Sequence, residues 1–225
     1  MARKPDFIKR VLEFWRQRWM TSDRRQSTFQ HIYQANRWRN DESRSGHGSS
    51  LEQTATVREA LPPLIEALSI RSLVDVPCGD FYWMQRVDLR GAAYIGLDIV
   101  EALIEENGAR YGQPSREFRM IDIAEGPPPK SDLILCRDLL VHFSFADINR
   151  AIANFKASGA TYLLTTTFPE TLENENILTG NWRRLNLQRA PFDFPEPERL
   201  INENCTEDDG AYGDKSLGLW KIADL

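Results

Sequence analysis

Three aspartates stand at or near the ends of short apolar runs in the middle of the chain. Asp75 lies within "SLVDV", Asp98 near the end of "AYIGLDI", and Asp122 near the end of "EFRMIDI". Short apolar runs are typical of buried strands, and an open parallel sheet binds ligands beyond the carboxyl ends of its strands. Asp98 can accept from both hydroxyls of a ribose and Asp122 from the amino group of an adenine, with the backbone NH of Ile123 facing a ring nitrogen. The aspartates therefore predict a pocket for an adenosine-containing ligand.

The turn after Asp75, "PCGDFYW", indicates which adenosine compound fits. A dinucleotide site needs a glycine-rich turn, so that pyrophosphate can lie on a helix N-terminus. This turn has one glycine, Gly79, and the carboxylate of Asp80 would repel a phosphate. S-adenosylmethionine carries no phosphate, and either Asp75 or Asp80 can face its cationic portion. The turn at Pro77–Gly79 therefore favours S-adenosylmethionine as the cofactor.

Two further stretches can complete the pocket. Tyr82 and Trp83 can lie beside the methionine part or the adenine, or simply pack in the core. The polar stretch "SRSGHGSS" can fold over the cofactor with Arg44 at its carboxylate, or serve only as a linker. The predicted cofactor ligands are Asp75, Pro77, Cys78, Gly79, Asp80, Trp83, Asp98, Ile99, Asp122, Ile123, Cys136, Arg137 and Arg44.

A second kind of chemistry is carried by "CRDLLVHFS", which follows a fourth apolar run. A hydroxyl acceptor must lose its proton during methyl transfer, and His or Asp within hydrogen-bond reach can take it. Asp138 and His142 are four residues apart, so one helical turn would align them and their pairing would raise the basicity of the imidazole. Alternatively, Asp138 bonds nearby backbone and His142 fills a helix start. Asp138 alone is not the cluster of ligands that a divalent metal needs, so no metal is predicted.

The stretch "LTGNWRRLNLQRAPFDFP" lies where an acceptor would enter. Trp182 can stack on a sugar or aromatic ring, and Arg183 or Arg184 can bind a carboxylate or phosphate. The alternative is a surface loop with a packed tryptophan. Glu203 and Asp214–Lys215 are expected to be structural groups that form ion pairs or belong to the hairpin.

Strands and helices must alternate to position these groups. Helical stretches are expected at 51–68, with a kink or restart at Pro62–Pro63, at 101–111 and at 144–158. Apolar strands alternating with helices predict an α/β fold, with a Rossmann-like, mostly parallel sheet covered by helices on both faces. The last two strands have no helix between them and should form an antiparallel hairpin at the sheet edge. The seven strands are expected at 72–76, 93–99, 117–123, 132–137, 161–168, 198–203 and 217–222.

The composition limits the class of protein. The chain of 225 residues is long enough for one sizeable core. Its three cysteines are too few for a disulfide framework, and no apolar run reaches the ~20 residues of a membrane span. We therefore expect a reducing, cytoplasmic setting.

The charge is unevenly distributed. The net charge is −5, but residues 1–50 hold 11 Lys and Arg against 5 Asp and Glu. Because the acidic remainder carries no basic stripe, nucleic acid is not an expected partner. The basic start "DFIKRVLEFWRQRWM" predicts an amphipathic helix that packs on the domain or docks on a membrane surface or a partner. We expect a basic N-terminal helical extension with a cofactor-covering loop at 1–50, and the main domain at 51–225.

The motifs, taken in order, resemble those of class I S-adenosylmethionine-dependent methyltransferases over about residues 51–225. "VDVPCGD" stands where that family has an acidic strand and a glycine-rich loop, although Pro77 and Phe81 replace the flanking glycines. "YIGLDIV" is similar to its ribose-binding strand, "MIDI" to its adenine-contacting strand, and "DLILCRDLLVHF" to its fourth strand. "SGHGSS", "PCGDFYWM" and "LLTTTFP" resemble a compact, uncharacterised bacterial branch, and some glycan-modifying methyltransferases carry similar stretches.

The resemblance implies a methyltransferase, and we expect its acceptor to be a hydroxyl of a glycan or small molecule. Methylation of a protein or a nitrogen atom, or a non-catalytic module that binds S-adenosylmethionine, are the alternatives.

Overall fold

The computed structural model describes residues 21–38 and 40–225, and its centre is one seven-stranded sheet. The strands β1 to β5 are parallel, and β7 runs antiparallel between β5 and β6. The order across the sheet is β3-β2-β1-β4-β5-β7-β6, which confirms the predicted fold class. The strands are β1 Ser72–Asp75, β2 Ala93–Asp98, β3 Arg116–Met120, β4 Leu133–Cys136, β5 Tyr162–Thr167, β6 Arg199–Asn202 and β7 Ser216–Lys221.

The strand order reverses between β1 and β4. From β1 the chain moves outward to β2 and β3, and then returns to β4 on the other side of β1. Asp75, the last residue of β1, pairs with Gly96 of β2 and with Leu135 of β4. The loops after β1 and β4 leave in opposite directions, and such a switch point opens a crevice for ligands. The topology therefore places the predicted site beyond Asp75.

Helices accompany the sheet. The α2 helix continues through Pro62 and Pro63, so the restart predicted there does not occur. Its buried face of Val57, Leu61 and Leu64 gives favourable burial that offsets the cost of the prolines. The helices are α1 Ser22–Gln34, α2 Ala55–Ala67, α3 Glu101–Tyr111 and α4 Phe145–Ala157, with a helical turn at Glu207–Gly210. Short 3-10 turns lie at His47–Ser49, Met84–Arg86, Leu140–His142 and Ile222–Asp224.

The core forms one layer on each face of the sheet. Successive strand residues point to opposite faces, so Val74 belongs to one core cluster and Leu73 to the other. The first cluster includes Phe29 of α1 and Ile148 of α4. The second includes Leu61 of α2. Helices therefore cover both faces, as the sequence predicted.

A buried arginine fastens α1 to the sheet. Arg25 is fully buried, and its Nε lies 2.8 Å from Asp122 Oδ2 while its Nη1 lies 3.0 Å from Asp147 Oδ1 of α4. It also contacts Glu125. A buried charge needs partners of this kind because desolvation is costly. The arginine thereby holds α1 across the carboxyl edge of the sheet.

The amphipathic helix predicted at the start of the chain lies within residues 1–20, outside the described residues. Among the helices of residues 21–38 and 40–225, none combines the length and apolar character that a membrane crossing requires.

Candidate cofactor and active site

A cavity opens at the carboxyl edge of the sheet, between the loops after β1 and β4. All predicted cofactor ligands except Cys136 line this cavity, as do Asp138 and His142. Phe29 and Tyr33 of α1 and Trp38 cover it from above. Cys136 as a cofactor ligand is wrong: it ends β4 with its side chain fully buried in the core cluster that α4 covers.

Asp98 lies at the centre of one end of the cavity. Its Oδ2 accepts from the NH of Gly79 at 3.1 Å, and its Oδ1 accepts from the NH of Val100 at 3.0 Å. Burial raises the pKa of Asp98 to about 6, although these backbone hydrogen bonds oppose the shift. A carboxylate offers about four acceptor positions, so Asp98 retains two for a ligand.

Gly79 has a conformation and an environment that exclude a side chain. Its φ is +52°, and a Cβ there would collide with the hydroxyl group of Ser45. Its carbonyl accepts from Asn107 Nδ2 at 2.7 Å. One glycine is therefore enough to bring this turn against both Asp98 and the covering loop.

Asp75 is buried behind this turn. Its Oδ2 accepts from the hydroxyl of Tyr94 at 2.7 Å. Burial raises the pKa of Asp75 to about 7, and the neighbouring Asp98 adds to the shift. A cationic ligand group placed here would favour the charged carboxylate.

Asp80 holds the loop that covers the cavity. Its two oxygens accept from the hydroxyls of Ser43 and Ser45 and from the backbone NH groups of Arg44 and Tyr82. These bonds use the acceptor positions of the carboxylate. Of the two acids that the sequence offered for a cationic group, the structure therefore favours Asp75. The covering loop is docked on the cavity rather than extended as a linker, with Arg44 over the ring of Tyr33.

Asp122 lies two residues beyond the end of β3. Its Oδ2 accepts from Ser22 Oγ at 2.7 Å and from Arg25 Nε at 2.8 Å, and its Oδ1 accepts from the NH of Ala124 at 3.0 Å. Asp122 is thus occupied largely by α1 and keeps one acceptor position on Oδ1. An adenine amino group would share the carboxylate with Arg25.

At the other end of the cavity, Asp138 is held by cations. Lys215 Nζ donates to Asp138 Oδ2 at 2.7 Å, and Arg137 Nη1 lies 3.3 Å from the same oxygen. The NH of Asp138 donates to Thr166 Oγ1 at 2.8 Å. Burial alone would raise the pKa of Asp138, but the two cations outweigh it and lower the pKa to about 2.

Arg137 and Lys215 share a second buried acid. Arg137 Nη2 lies 2.6 Å from Glu203 Oε2 and donates to the carbonyl of Gly48 at 2.8 Å. Lys215 Nζ lies 3.6 Å from the same oxygen of Glu203. The structural ion pairs expected of Glu203 and Lys215 are therefore present.

His142 ends the 3-10 turn after β4 and faces the cavity. Its Nδ1 lies 2.9 Å from the carbonyl oxygen of Asn181, and Trp38 lies beside the ring with centroids 5.6 Å apart. Because a carbonyl can only accept, Nδ1 carries the proton and Nε2 of the neutral ring has a free lone pair. Burial lowers the pKa of His142 below its usual 6.5. The imidazole is therefore a neutral base near pH 7.

The predicted alignment of Asp138 with His142 by one helical turn is wrong, although the charge of Asp138 does raise the pKa of the imidazole, as predicted. Asp138 has φ +56°, and the turn that follows is 3-10 rather than α-helical, so the two side chains are not aligned by one α-helical turn. Asp138 is bound by Lys215 and Arg137, and the imidazole by Asn181.

The segment after β5 divides the three predicted substrate residues. Trp182 is 41% exposed and packs edge-to-face on Tyr212, with ring centroids 4.9 Å apart. Arg184 is exposed. Arg183 as a substrate ligand is wrong: it is buried and donates to the carbonyls of Leu140 and Phe143 at 2.8 and 2.9 Å.

Several site residues were not predicted individually, although Ser49, Thr166 and Asn181 lie in stretches that the sequence had already indicated. Trp38, Tyr33 and Ser49 line the cavity, and Thr166 and Asn181 orient Asp138 and His142. Asn181 acts through its backbone carbonyl, which any residue would supply. Among the described residues, no cluster of three or more His, Cys, Asp or Glu side chains is arranged to hold a metal ion.

Comparisons with known proteins find solved structures of similar fold but no matching family model or curated sequence. The 1,6-didemethyltoxoflavin-N1-methyltransferase of Burkholderia thailandensis, solved with 1,6-didemethyltoxoflavin and S-adenosylhomocysteine, is 16% identical with a TM-score of 0.57. The match covers 87% of this chain and 86% of that chain.

Two longer proteins have a similar fold. The match to phosphoethanolamine N-methyltransferase 1 of Haemonchus contortus covers 90% of this chain and 50% of that one, at 14% identity and a TM-score of 0.58. The match to human N-acetylserotonin methyltransferase, solved with S-adenosylmethionine, covers 90% and 57%, at 10% identity and a TM-score of 0.53. This chain therefore spans about half the length of these two proteins. The chain has the fold of the class I S-adenosylmethionine-dependent methyltransferases.

Proposed function

We propose that the protein is an S-adenosylmethionine-dependent methyltransferase that methylates a hydroxyl group of a glycan or small molecule. One observation carries the proposal: a single cavity has open carboxylate positions at one end and a neutral imidazole at the other. Asp75 and Asp98 line the first end and His142 the second. A ligand with hydroxyls, a cation and a group to be transferred matches this arrangement.

The residues present fit the cofactor. Asp98 has two acceptor positions for the ribose hydroxyls, and Asp122 has one for the adenine amino group. Asp75 can face the cationic portion. The φ of +52° at Gly79 brings backbone close to the ligand without a side chain. S-adenosylmethionine supplies an electrophilic methyl group when it is bound.

His142 is the residue suited to take the proton of a hydroxyl acceptor. Its Nε2 is unprotonated in the neutral ring and the side chain lines the cavity. Asp138 is a much weaker base because its pKa is lowered to about 2. We therefore assign the proton to His142 Nε2, while Asp138 keeps Lys215 and Arg137 in place.

The acceptor is proposed to rest on Trp182 and Tyr212. Trp182 directly follows Asn181, whose carbonyl holds His142, so this exposed indole lies on the segment that contacts the base. An exposed aromatic face suits a sugar or ring compound, and Arg184 adds a cation beside it. These features suit a glycan or a ring-containing small molecule, and the net charge of −5 argues against nucleic acid.

We also propose that the protein is cytoplasmic. Cys78, Cys136 and Cys205 are all buried free thiols, a state that persists in reducing compartments.

The test is methyl transfer from labelled S-adenosylmethionine to fractionated cell extract. We expect label in a protease-resistant glycan or small-molecule fraction, and loss of labelling in Asp98→Ala. The matched control is Asp88→Ala, which removes an exposed carboxylate. In the described part of the chain, the salt bridge of Asp88 is with Arg90 at the surface. Label that resides only in protein, or on nitrogen, would overturn the proposed acceptor class. Binding without any transfer would leave a non-catalytic binding module.

A further inference from the structure

The 3-10 turn that carries His142 is hydrogen-bonded to a short segment of the chain, residues 180–183. The carbonyls of Leu140 and Phe143 accept from Arg183 Nη1 and Nη2 at 2.8 and 2.9 Å. The carbonyl of Val141 accepts from the NH of Arg183 at 3.1 Å, and that of His142 from the NH of Gly180 at 2.9 Å. Four consecutive carbonyls thus bond to the segment 180–183.

Arg183 supplies three of these four hydrogen bonds. Its side chain is buried, and its Nε also donates to the carbonyl of Glu175 at 3.1 Å. Within residues 21–38 and 40–225, no carboxylate lies within salt-bridge distance of Arg183, so carbonyl dipoles stabilise its charge. A planar guanidinium can span several carbonyls at once, which the single ammonium of lysine cannot do. A buried cation without a carboxylate partner is costly, and this cost is offset by the carbonyls and by the ring of Phe145, whose centroid lies 5.8 Å from the guanidinium carbon.

The same segment sets the protonation pattern of the imidazole. The carbonyl of Asn181, between Gly180 and Arg183, lies 2.9 Å from His142 Nδ1. Because the backbone on both sides of Asn181 is bonded to the turn, this carbonyl is fixed relative to the ring. The proton is thereby kept on Nδ1 and the lone pair on Nε2.

We propose that Arg183 is a positioning residue for methyl transfer, which clamps the segment 180–183 to the turn 140–143 and so holds His142 in the Nδ1–H tautomer. The clamp makes Nε2 the proton acceptor without any hydrogen bond from the imidazole to a carboxylate. The role in transfer rests on the proposed function, but the tautomer and its dependence on Arg183 are properties of the protein alone.

The charged groups that face His142 act in both directions. Asp138 raises the pKa of His142, while Arg183 and Lys215 lower it, and burial lowers it most. Replacing Arg183 by lysine keeps a positive charge nearby but removes the fork that holds the carbonyls. A change in tautomer in Arg183→Lys would therefore report on the clamp rather than on the charge.

The test is nitrogen-15 NMR of the histidine rings in the full chain. The chain has three histidines, and His31 and His47 are exposed and serve as internal references. At about pH 8.5, well above the reference imidazole pKa of about 6.5, we expect a protonated Nδ1 and an unprotonated Nε2 for His142. An imidazole that exchanges between the two neutral tautomers gives averaged signals instead.

In Arg183→Lys we expect the His142 signals to move toward this averaged pattern. Because the hydrogen bond to Asn181 raises the pKa of His142, its loss should also lower that pKa further below 6.5. The matched control is Arg58→Lys in α2. This substitution alters another guanidinium that donates to a backbone carbonyl, that of Leu51. Gly180→Ala perturbs the same clamp without changing a charge, since Gly180 has φ +100°, and it replaces Arg183→Lys if that variant does not fold.

A His142 ring protonated on Nε2 in the native protein overturns the inference, as does an unchanged tautomer in both clamp variants. Titration with S-adenosylhomocysteine separates the two proposals. A native protein that shows the predicted tautomer but does not bind S-adenosylhomocysteine refutes the proposed function and leaves the clamp intact.

Discussion

The two ends of the cavity use carboxylates in opposite ways. At the end formed by β1 and β2, here called the ribose end, Asp75 and Asp98 bond to neutral donors and have raised pKa values of about 7 and about 6. At the end after β4, the transfer end, Asp138 is held by Lys215 and Arg137 and has a pKa of about 2. The ribose end thus has uncompensated acids, whereas the transfer end has acids already neutralised by the protein.

The difference separates two tasks. An acid without a protein cation gains most from the hydroxyls and positive charge of a ligand, so it suits binding. An acid neutralised in advance contributes little to binding, but it lets a buried lysine and arginine stay charged beside a neutral imidazole. We therefore expect substitutions at the ribose end to change affinity, and those at the transfer end to change turnover or stability.

The largest effect is expected for His142→Ala. Removing the proton acceptor should lower turnover roughly 10²–10⁴-fold, the usual contribution of general-base catalysis. The affinity for S-adenosylhomocysteine should stay unchanged, because the imidazole acts on the acceptor. Turnover and calorimetric affinity are compared with those of His31→Ala, which removes an exposed histidine. A proportional loss of affinity would mean that the two ends are not separate.

Lys215→Met should chiefly reduce stability. It leaves Asp138 and Glu203 with only Arg137, and breaking a buried ion pair costs about 3–5 kcal/mol. The control is Lys221→Met, whose ion pair with Glu198 is exposed and whose loss should change the free energy of unfolding far less.

The pH dependence sharpens this prediction. The lowered pKa of Asp138 stabilises the native protein above about pH 4, and this contribution is lost as the pH falls through about 2. Lys215→Met should remove much of this acid-sensitive part in urea unfolding at several pH values. Equal effects of the two lysine substitutions would contradict a pre-neutralised transfer end.

Asp98→Ala should weaken cofactor binding. It removes the acceptors for the ribose hydroxyls, which corresponds to about 1.5–3 kcal/mol for charged hydrogen bonds. Calorimetry with S-adenosylhomocysteine measures the loss, with Asp88→Ala as the exposed control. Unchanged affinity in folded Asp98→Ala would remove the ribose assignment.

Gly79→Ala tests the packing of the covering loop on the ribose end. The added methyl group meets Ser45 and sits at a positive φ, so the free energy of unfolding should fall by about 1–3 kcal/mol. Adding Ser45→Gly should recover the part due to the collision but not the backbone strain. A double-mutant cycle with no interaction energy would show that the loop does not pack there.

The smallest expected effect is the release of protons when the cofactor binds. Since the pKa values of Asp75 and Asp98 are raised, ligand groups that favour the carboxylates should release protons near pH 6.5. As the pH rises through these pKa values, affinity should rise by about tenfold for each unit by which binding lowers the pKa of a carboxyl group. Without ligand, the same shifts should lower the free energy of unfolding as the pH rises from about 4 to about 7. Titrations in two buffers of different ionisation enthalpy measure the protons, and proton uptake would reverse the assignment.

The sequence predicts the ribose end better than the transfer end, because of how each is connected. Asp75 and Asp98 end neighbouring parallel strands, so strand prediction alone places both at one edge. The strands β1, β2 and β4 were predictable in the same way because they are largely apolar and buried, whereas the edge strands β3 and β6 have mixed sequences and are mostly exposed. The groups that donate to Asp98 are the backbone NH of Val100, two residues later, and that of Gly79 in the loop after the neighbouring strand β1.

The transfer end depends on contacts between distant segments. Lys215 meets Asp138 across 77 residues, and Arg183 meets Leu140 across 43. A four-residue spacing predicted that Asp138 and His142 would pair, but the positive φ of Asp138 directs the chain otherwise. An arginine in this segment could equally bind a ligand. Only the structure shows that the side chain of Arg183 is buried and donates to backbone carbonyls. These facts require the tertiary structure.

The most direct test of the account is calorimetric titration of the native protein with S-adenosylhomocysteine, with NADH as the comparison. We predict one site per chain with a dissociation constant in the micromolar range for S-adenosylhomocysteine, and much weaker binding of NADH, because the turn at Gly79 has a single glycine and Asp80 beside it. Tight binding of NADH, or no binding of S-adenosylhomocysteine by the folded protein, would contradict the assignment of the ribose end and the proposed function with it.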